Sequence, residues 1–209
     1  VPIRRFNPAM NYRFFMVPAI LTLLVTMISA YMCALNLVSE KEMGTIEQMN
    51  VTPVGKYVFL LSKTIPFLLI GIFIFSVGLF LIARPLYGIV PVGNIGLLYA
   101  YLVLYLTAML GLGLLISTYC ETQQQVMFIT FFFMTIFILM SGLFTPVESM
   151  PAWARAISHS NPVTYFMEAC RMIILKGSGW RDVRGHMAIT VGFALVFHTW
   201  AALNYRKTT

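Results

Sequence analysis

Five long apolar runs dominate the sequence and restrict the folds that the chain can adopt. They cover residues 14–38, 57–83, 95–118, 126–144 and 187–203. A helix needs about 20 mostly apolar residues to cross a bilayer core about 30 Å thick, and each run approaches or exceeds that length. Lys63, near the start of the second run, is the one charged residue inside them. The pattern predicts an all-α integral membrane protein with about five transmembrane helices in a single transmembrane domain, 1–209.

The amino-acid composition supports this prediction. Of 209 residues, 59% are hydrophobic and 10% are charged, against roughly half and about a quarter in soluble domains. The basic residues stand singly or in pairs between the apolar runs, where long cationic side chains reach toward lipid headgroups. The net charge of +7 therefore indicates contact with membrane lipid, and we expect no nucleic-acid partner.

Motifs for catalysis or cofactor binding are absent from the sequence. Ser141-Gly142 lacks the G-x-S-x-G frame of a serine hydrolase, and Gly55-Lys56 is not part of a phosphate-binding loop. The histidines and cysteines have no metal-binding spacing; they are His159, His186, His198, Cys33, Cys120 and Cys170. We therefore expect no enzyme activity, metal or cofactor in this chain, although an intramembrane hydrolase that uses Ser141 or His159 stays an alternative.

The connection between the first two runs, 39–53, is the most polar stretch of the chain. Gly44 can end the first helix in a left-handed cap. Thr45 and Gln48 form a T-x-x-Q capping box, which favours a new short helix, and Thr52-Pro53 provides the stop before the next run. The spacing predicts a short amphipathic helix between two membrane helices, although a solvated connector has the same local signals.

The residues of this connection resemble a known family. Glu40-Lys41-Glu42-x-Gly44-Thr45-x-Glu47-Gln48, followed by Val51-Thr52-Pro53, is similar to the cytoplasmic coupling-helix segment of ABC type-2 transporter permeases. These proteins are the membrane subunits of drug, lipid or polysaccharide exporters, and they are driven by a separate ATP-hydrolysing subunit. The resemblance implies that the segment docks on that subunit, with these candidate docking residues: Glu40, Glu42, Gly44, Thr45, Glu47 and Gln48.

The same resemblance implies the partners and the location of the chain. ATP and Mg²⁺ would be bound by the ATP-binding subunit, and a second permease subunit would complete the transport path as a homodimer or heterodimer. The location would be the cell membrane, as a multi-pass protein of the bacterial inner membrane. An ion-coupled secondary transporter or a membrane scaffold without an ATPase is the alternative, and the scarcity of charge inside the runs disfavours ion coupling.

The connection between the third and fourth runs is short and polar. Thr122 and Gln125 again have the T-x-x-Q spacing that begins a helix. With the preceding small residues Gly111, Gly113 and Ser117, which favour close helix packing, it resembles the turn between the fourth and fifth helices of the family. The resemblance places Glu121, Thr122 and Gln125 in a cytoplasmic turn.

The region between the fourth and fifth runs, 145–185, predicts two short helices. Asn161-Pro162 offers an N-cap followed by proline at the first helical position, and Gly177 can end that helix. Neither helix is long enough to span a bilayer, which favours an interfacial or re-entrant hairpin. The region resembles the external hairpin of the family, which covers the outer end of the transport path, with the candidate residues Pro146, Glu148, Pro151, Asn161, Pro162 and Arg171.

The family has six membrane helices, and many members carry an external domain between the first and the second. Arg4-Arg5-Phe6-Asn7-Pro8 resembles the end of that domain, so we expect residues 1–13 to be its tail and the first helix to be missing.

The distribution of basic residues conflicts with the orientation that the family implies. Short cytoplasmic loops are enriched in Lys and Arg. The proposed cytoplasmic side has five, Lys41, Lys56, Lys63, Arg206 and Lys207; the other side has nine, Arg4, Arg5, Arg13, Arg84, Arg155, Arg171, Lys176, Arg181 and Arg184. This count favours the reverse orientation, and the sequence leaves the conflict open.

Overall fold

The protein is described by a computed structural model that covers residues 12–44, 56–143 and 147–204. All of its regular elements in these ranges are helices. We number the main ones α1 (Tyr12–Glu42), α2 (Lys56–Val77), α3 (Ile95–Tyr119), α4 (Gln123–Met140), α5 (Ala152–His159), α6 (Pro162–Lys176) and α7 (Trp180–Asn204). A π-helical stretch, Gly78–Ala83, and a last α-helical turn, Arg84–Tyr87, continue α2, and a short 3₁₀ helix covers Val147–Ser149.

Five of these helices are long and apolar enough to cross a membrane: α1, α2 with its continuation, α3, α4 and α7. The predicted all-α membrane fold with five spans is confirmed. Most helix ends lie outside the apolar runs that predicted them, although α4 ends at Met140, four residues before its run does. α1 continues to Glu42, α4 begins at Gln123 and α7 begins at Trp180, because polar residues at helix ends are held by caps and side-chain contacts that hydropathy does not detect.

α3 lies at the centre of the bundle. It contacts α1, α2, α4, α6 and α7, and 78% of its most apolar window is buried, compared with 22% for α2, α4 and α7. One face of α1 packs on it closely, because a Cβ atom added at Gly113 would lie 2.5 Å from the carbonyl oxygen of Ala30. Only glycine permits this approach of two helix backbones. The three peripheral helices carry large exposed apolar faces, as expected for helices in contact with lipid or with another subunit.

The predicted hairpin consists of α5 and α6. Asn161 begins α6, since its side-chain oxygen accepts a hydrogen bond from the backbone N–H of Val163 at 3.0 Å, and Gly177 ends it in the left-handed conformation, with φ 68°. Both caps are as predicted. Asn161 is fully buried and its Nδ2 donates to the carbonyl oxygen of Phe137 in α4, at 2.6 Å. The hairpin therefore enters the bundle with its turn, as a re-entrant hairpin does.

α6 returns from the bundle to the loop between α2 and α3. Its fully or almost fully buried residues include Val163, Phe166, Ala169, Cys170, Ile173 and Ile174. At its end the backbone N–H groups of Val92 and Gly93 donate to the carbonyl oxygens of Ile174 and Ile173, each at 3.1 Å. The hairpin, the loop at 88–94 and the start of α1 thus lie on one side of the membrane, and the ends of α1, α3 and α7 lie on the other.

Candidate functional site

The side where α1 and α3 end and α4 begins is referred to here as the coupling face. It carries the described candidates from the two connections that the family resemblance places in the cytoplasm: Glu40, Glu42, Gly44, Glu121, Thr122 and Gln125. Three consecutive charged residues, Glu40, Lys41 and Glu42, end α1 there. We refer to them as the α1 charge triplet. Successive residues of a helix point about 100° apart, so the three side chains leave the helix in different directions. Each one reaches a different neighbouring helix.

Glu40 binds α2 through an ion pair with Lys63. The two side chains are only 13% and 24% exposed, and the Lys63 ammonium also lies 5.8 Å from the centre of the Phe59 ring, within range of a cation–π interaction. A charge that is largely withdrawn from water needs such a partner. Lys63 lies near a helix end, where the sequence alone would have it extend to the lipid headgroups, but the structure pairs it with Glu40 inside the protein.

Lys41 binds the end of α3. Its Nζ donates to the backbone carbonyl oxygens of Ser117 and of Cys120, the latter at 3.1 Å. Carbonyl groups in the last turn of a helix lack partners within the helix and carry the negative end of its dipole, so a lysine is a favourable cap. Burial raises the pKa of the neighbouring Cys120 thiol, although the charge of Lys41 acts in the opposite direction. The thiol is therefore neutral at physiological pH.

Glu42 binds the start of α4. Its Oε1 accepts a hydrogen bond from the backbone N–H of Gln123 at 2.8 Å, and its Oε2 accepts one from the Gln123 amide Nε2 at 2.6 Å. A carboxylate is favoured at this position, because the first N–H groups of a helix are unpaired and carry partial positive charge. Glu42 is thus a helix cap supplied by a different helix.

The turn before α4 has the cap that its sequence predicted. The Thr122 side chain accepts a hydrogen bond from the backbone N–H of Gln125 at 3.2 Å. Gln125 in turn accepts one from the backbone N–H of Glu121 at 3.1 Å. The T-x-x-Q prediction is confirmed here, and the turn lies next to the end of α1.

The structure describes only part of the predicted docking segment. Gly44 has a φ of 70°, which is the predicted left-handed end of α1, and its N–H donates to the carbonyl oxygen of Lys41 at 3.1 Å. Thr45, Glu47 and Gln48, with the rest of the predicted coupling helix, lie outside the described residues. Glu40 and Glu42 contact other membrane helices, which favours a role in holding the bundle together over direct contact with a partner. The sequence did not identify Lys63 and Gln123 as the partners of Glu40 and Glu42, or Ser117 as a partner of Lys41.

The opposite side of the protein contains the predicted hairpin residues. Arg171 is 6% exposed; its Nη1 donates to the carbonyl oxygen of Gly142 at 3.2 Å and its Nη2 to that of Leu143 at 3.4 Å. Burial lowers the pKa of Arg171 to about 10, so the guanidinium remains charged at neutral pH. It therefore connects α6 to the end of α4. Pro151 is the residue just before α5 and Pro162 is the first residue of α6. Glu148 lies in the 3₁₀ helix, and Pro146 lies outside the described residues.

A second pair on this side was not identified from the sequence. His186 Nε2 of α7 lies 3.4 Å from Glu168 Oε2 of α6. The hydrogen bond from His186 holds the pKa of Glu168 below its usual value, with further contributions from the charges of His186, Arg171 and His159, while burial opposes the shift. The pair connects the hairpin to the last membrane helix. The two partners are 18 positions apart in the sequence, which explains why no local motif revealed the pair.

Within the described residues, no group of three or more His, Cys, Asp or Glu side chains could hold a metal ion. The coupling face instead offers backbone caps and one ion pair. These contacts hold the ends of neighbouring helices together.

The chain is similar to known membrane proteins. The family model described as "ABC-2 family transporter protein" matches residues 1–203. The chain is 33% identical over 193 residues to the "Probable multidrug ABC transporter permease YbhR" of Escherichia coli (strain K12), covering 88% of this chain and 51% of that protein. It is 31% identical over 176 residues to the "Probable multidrug ABC transporter permease YbhS" of the same strain, covering 83% and 46%.

A third relative is similar over almost the whole chain. The "Inner membrane transport permease YhhJ" of Escherichia coli (strain K12) is 26% identical over 204 residues, covering 98% of this chain and 54% of that protein. The chain thus spans about half the length of the curated relatives it matches.

Proposed function

Because the chain belongs to the ABC-2 family of transporter proteins, we propose that it is the membrane-spanning part of the permease of an ATP-driven exporter. In this proposal a separate subunit binds ATP and Mg²⁺ and docks at the coupling face. A second permease subunit, identical or homologous, completes the transport path. The observation that carries the proposal is the α1 charge triplet, which attaches α2, α3 and α4 to the helix end that leads directly into residues 45–55.

The mechanism requires that the helix ends receive a displacement and pass it on. A partner can shift a conformational equilibrium only by binding two states with different affinity. If closure of the ATP-binding subunit displaces the segment 45–55, the end of α1 follows, and its contacts carry the motion to the neighbouring helices. Glu47 and Gln48 are the docking residues in this account, and Glu40 and Glu42 act within the membrane subunit.

The proposed cargo is an amphipathic or apolar compound. The curated relatives YbhR and YbhS are named as probable multidrug permeases. Inside the described bundle the buried polar side chains are mostly hydroxyl groups, and the exposed face of α4 carries Phe128, Phe131, Phe132 and Phe133. Aromatic surfaces of this kind accommodate varied apolar molecules, whereas a free ion needs charged or densely polar ligands.

The test uses the full-length permease expressed together with its ATP-binding subunit. Glu47→Lys reverses a charge in the proposed docking segment, and Arg184→Glu reverses an exposed charge on the opposite side of the membrane as a matched control. We expect Glu47→Lys to lower co-purification of the ATP-binding subunit and cargo-stimulated ATP hydrolysis at least ten-fold. A ten-fold loss of affinity between the subunits corresponds to about 1.4 kcal/mol of binding free energy. Arg184→Glu should leave both readouts unchanged. Export driven by an ion gradient without ATP would contradict the proposal.

A further inference from the structure

The three contacts of the α1 charge triplet differ in how far water reaches them. The Glu40–Lys63 pair is mostly buried, and the two residues whose carbonyl groups bind Lys41, Ser117 and Cys120, are fully buried. The two hydrogen bonds between Glu42 and Gln123 are exposed. Water competes for exposed hydrogen bonds and screens exposed charges. The inner contacts are therefore durable, and the outer one exchanges readily.

The outer contact holds one of the three peripheral helices. Only 22% of the apolar window of α4 is buried, as in α2 and α7, against 61% for α1 and 78% for α3, and α4 packs mainly on α1. α3 has the largest buried share of the five spanning helices, so the cap that Lys41 provides at its end adds to extensive packing. Because α4 has less buried surface than α3, a contact at its N-terminus contributes a larger share of the interactions that hold it in the bundle.

We propose that the Glu42–Gln123 contact is a releasable latch, which holds the N-terminal end of α4 against α1 while Glu40 and Lys41 keep α1, α2 and α3 together as one unit. The inference rests on the proposed function, because the ATP-binding subunit supplies the displacement that opens the latch. Its two hydrogen bonds, at 2.8 and 2.6 Å, both exceed hydrogen-bonding range after a shift of about 1 Å along the bonds.

The inner contacts are less open to water than the outer one. Water can replace the exposed hydrogen bonds of Glu42 as they lengthen, whereas the contacts of Lys41 and Lys63 are partly buried and have less water to replace them. A small displacement therefore opens the outer contact first, so that α4 separates from the unit formed by α1, α2 and α3.

Distances between spin labels test the latch in the full-length complex. One label is placed at Met127→Cys, near the start of α4, and one at Leu203→Cys, near the end of α7; both native side chains are exposed. The native cysteines Cys33, Cys120 and Cys170 are buried and label poorly. Labelled permease is diluted with unlabelled permease so that only distances within one subunit are measured. The pair Val58→Cys and Leu203→Cys, which joins α2 to α7, is the control.

Four variants separate the latch from a general loss of folding. Glu42→Ala removes both hydrogen bonds, and Glu42→Gln keeps an acceptor for the Gln123 N–H but removes the charge. Gln123→Ala removes only the side-chain bond, and Gln124→Ala removes the same kind of amide from the neighbouring exposed position as a matched control. We expect Glu42→Ala without nucleotide to shift the 127–203 distance by about 1–2 Å, a typical helix displacement. The shift should be smaller for Glu42→Gln and Gln123→Ala and absent for Gln124→Ala.

Trapping ATP in the unmutated complex should produce the same shift in the 127–203 distance and leave the 58–203 distance unchanged. A 127–203 distance that does not respond to Glu42→Ala, or that does not respond to ATP in a complex that hydrolyses it, overturns the latch while the proposed function stands. A 58–203 distance that changes equally also overturns it. If the ATP-binding subunit neither binds nor is stimulated, the proposed function fails, and the latch fails with it.

Discussion

The ring of Phe166 in α6 stacks on the ring of Tyr105 in α3, with centroids 4.1 Å apart and planes within 4° of parallel. Both side chains are fully buried, and the Tyr105 hydroxyl also forms a hydrogen bond with Thr26 of α1. The re-entrant hairpin is therefore attached at the centre of the bundle, to the helix that packs against α1 along its length. A continuous chain of contacts, from Thr26 of α1 through Tyr105 of α3 to Phe166 of α6, therefore joins α1 to the hairpin.

Truncating the stacked ring should destabilise the protein strongly. Phe166→Ala removes a buried aromatic side chain that also contacts Phe75 and Tyr101, and changes of this kind cost about 3–5 kcal/mol. We expect a clear fall in the thermal unfolding midpoint of the purified protein in detergent. Phe131→Ala, at an exposed position of α4, is the control and should change the free energy of unfolding by less than about 0.5 kcal/mol. Equal effects of the two variants would contradict the central position of Phe166.

Removing only the hydroxyl of Tyr105 should have a small effect. Tyr105→Phe keeps the stacked ring and removes the hydrogen bond to Thr26, while the Thr26 hydroxyl keeps its bond to the carbonyl oxygen of Thr22. Because the remaining partner, the Thr26 hydroxyl, keeps a hydrogen bond, the free energy of unfolding should fall by only about 0.5–1.5 kcal/mol. Denaturant unfolding in detergent measures it, and a loss as large as that of Phe166→Ala would show that the hydroxyl, and not the stacking, fixes the ring.

The contact between α3 and α1 should not accept a single added methyl group. Gly113→Ala places a Cβ 2.5 Å from a backbone oxygen of α1, which cannot move without shifting the helix, and overpacking of this kind costs about 1–3 kcal/mol. Gly192→Ala in α7 meets nothing within 4 Å and should be neutral or stabilising by up to about 1 kcal/mol, because alanine favours a helix. We expect the thermal midpoint to fall in Gly113→Ala and to stay the same or rise in Gly192→Ala. If Gly113→Ala stabilises the protein as Gly192→Ala does, the backbones of α3 and α1 are further apart at Gly113 than the structure shows.

The Glu168–His186 pair should make part of the stability depend on pH. The pKa of Glu168 is lowered in the folded protein from its usual value of 4.5, so the ionised carboxylate is the form that folding favours. Its contribution is complete above the unfolded pKa and is lost as the pH falls through the folded pKa. We expect the difference in thermal midpoint between the wild type and Glu168→Gln to shrink as the pH falls below about 5. A difference that grows on acidification below about pH 5 would contradict the assigned direction.

The sequence predicted features that depend on local chemistry. Hydropathy located the five membrane helices, and the caps at Gly44, Thr122, Asn161 and Gly177 follow from residue types within one or two turns of each helix end. Helix bounds were less accurate, because the ends of α1 and α7 contain charged residues that their neighbours stabilise.

Contacts between distant helices could not be predicted. The directions of Glu40, Lys41 and Glu42 follow from helical periodicity, but their partners depend on how α2, α3 and α4 surround α1. The same holds for Arg171, which the sequence counts as a basic residue of a loop and the structure buries inside the protein. Arg171 therefore does not belong in the count of loop charges that conflicts with the orientation expected for the family.

Chemical labelling of Met43→Cys in the full-length permease tests the central claim most directly, namely that the coupling face is cytoplasmic and receives the ATP-binding subunit. Met43 follows the α1 charge triplet and is 66% exposed; Arg181→Cys, an exposed position on the opposite side, is the control. A membrane-impermeant maleimide should label Met43→Cys only in inverted vesicles, with labelling reduced when the ATP-binding subunit is bound, and should label Arg181→Cys only in intact cells. Labelling of Met43→Cys from outside intact cells would contradict the account.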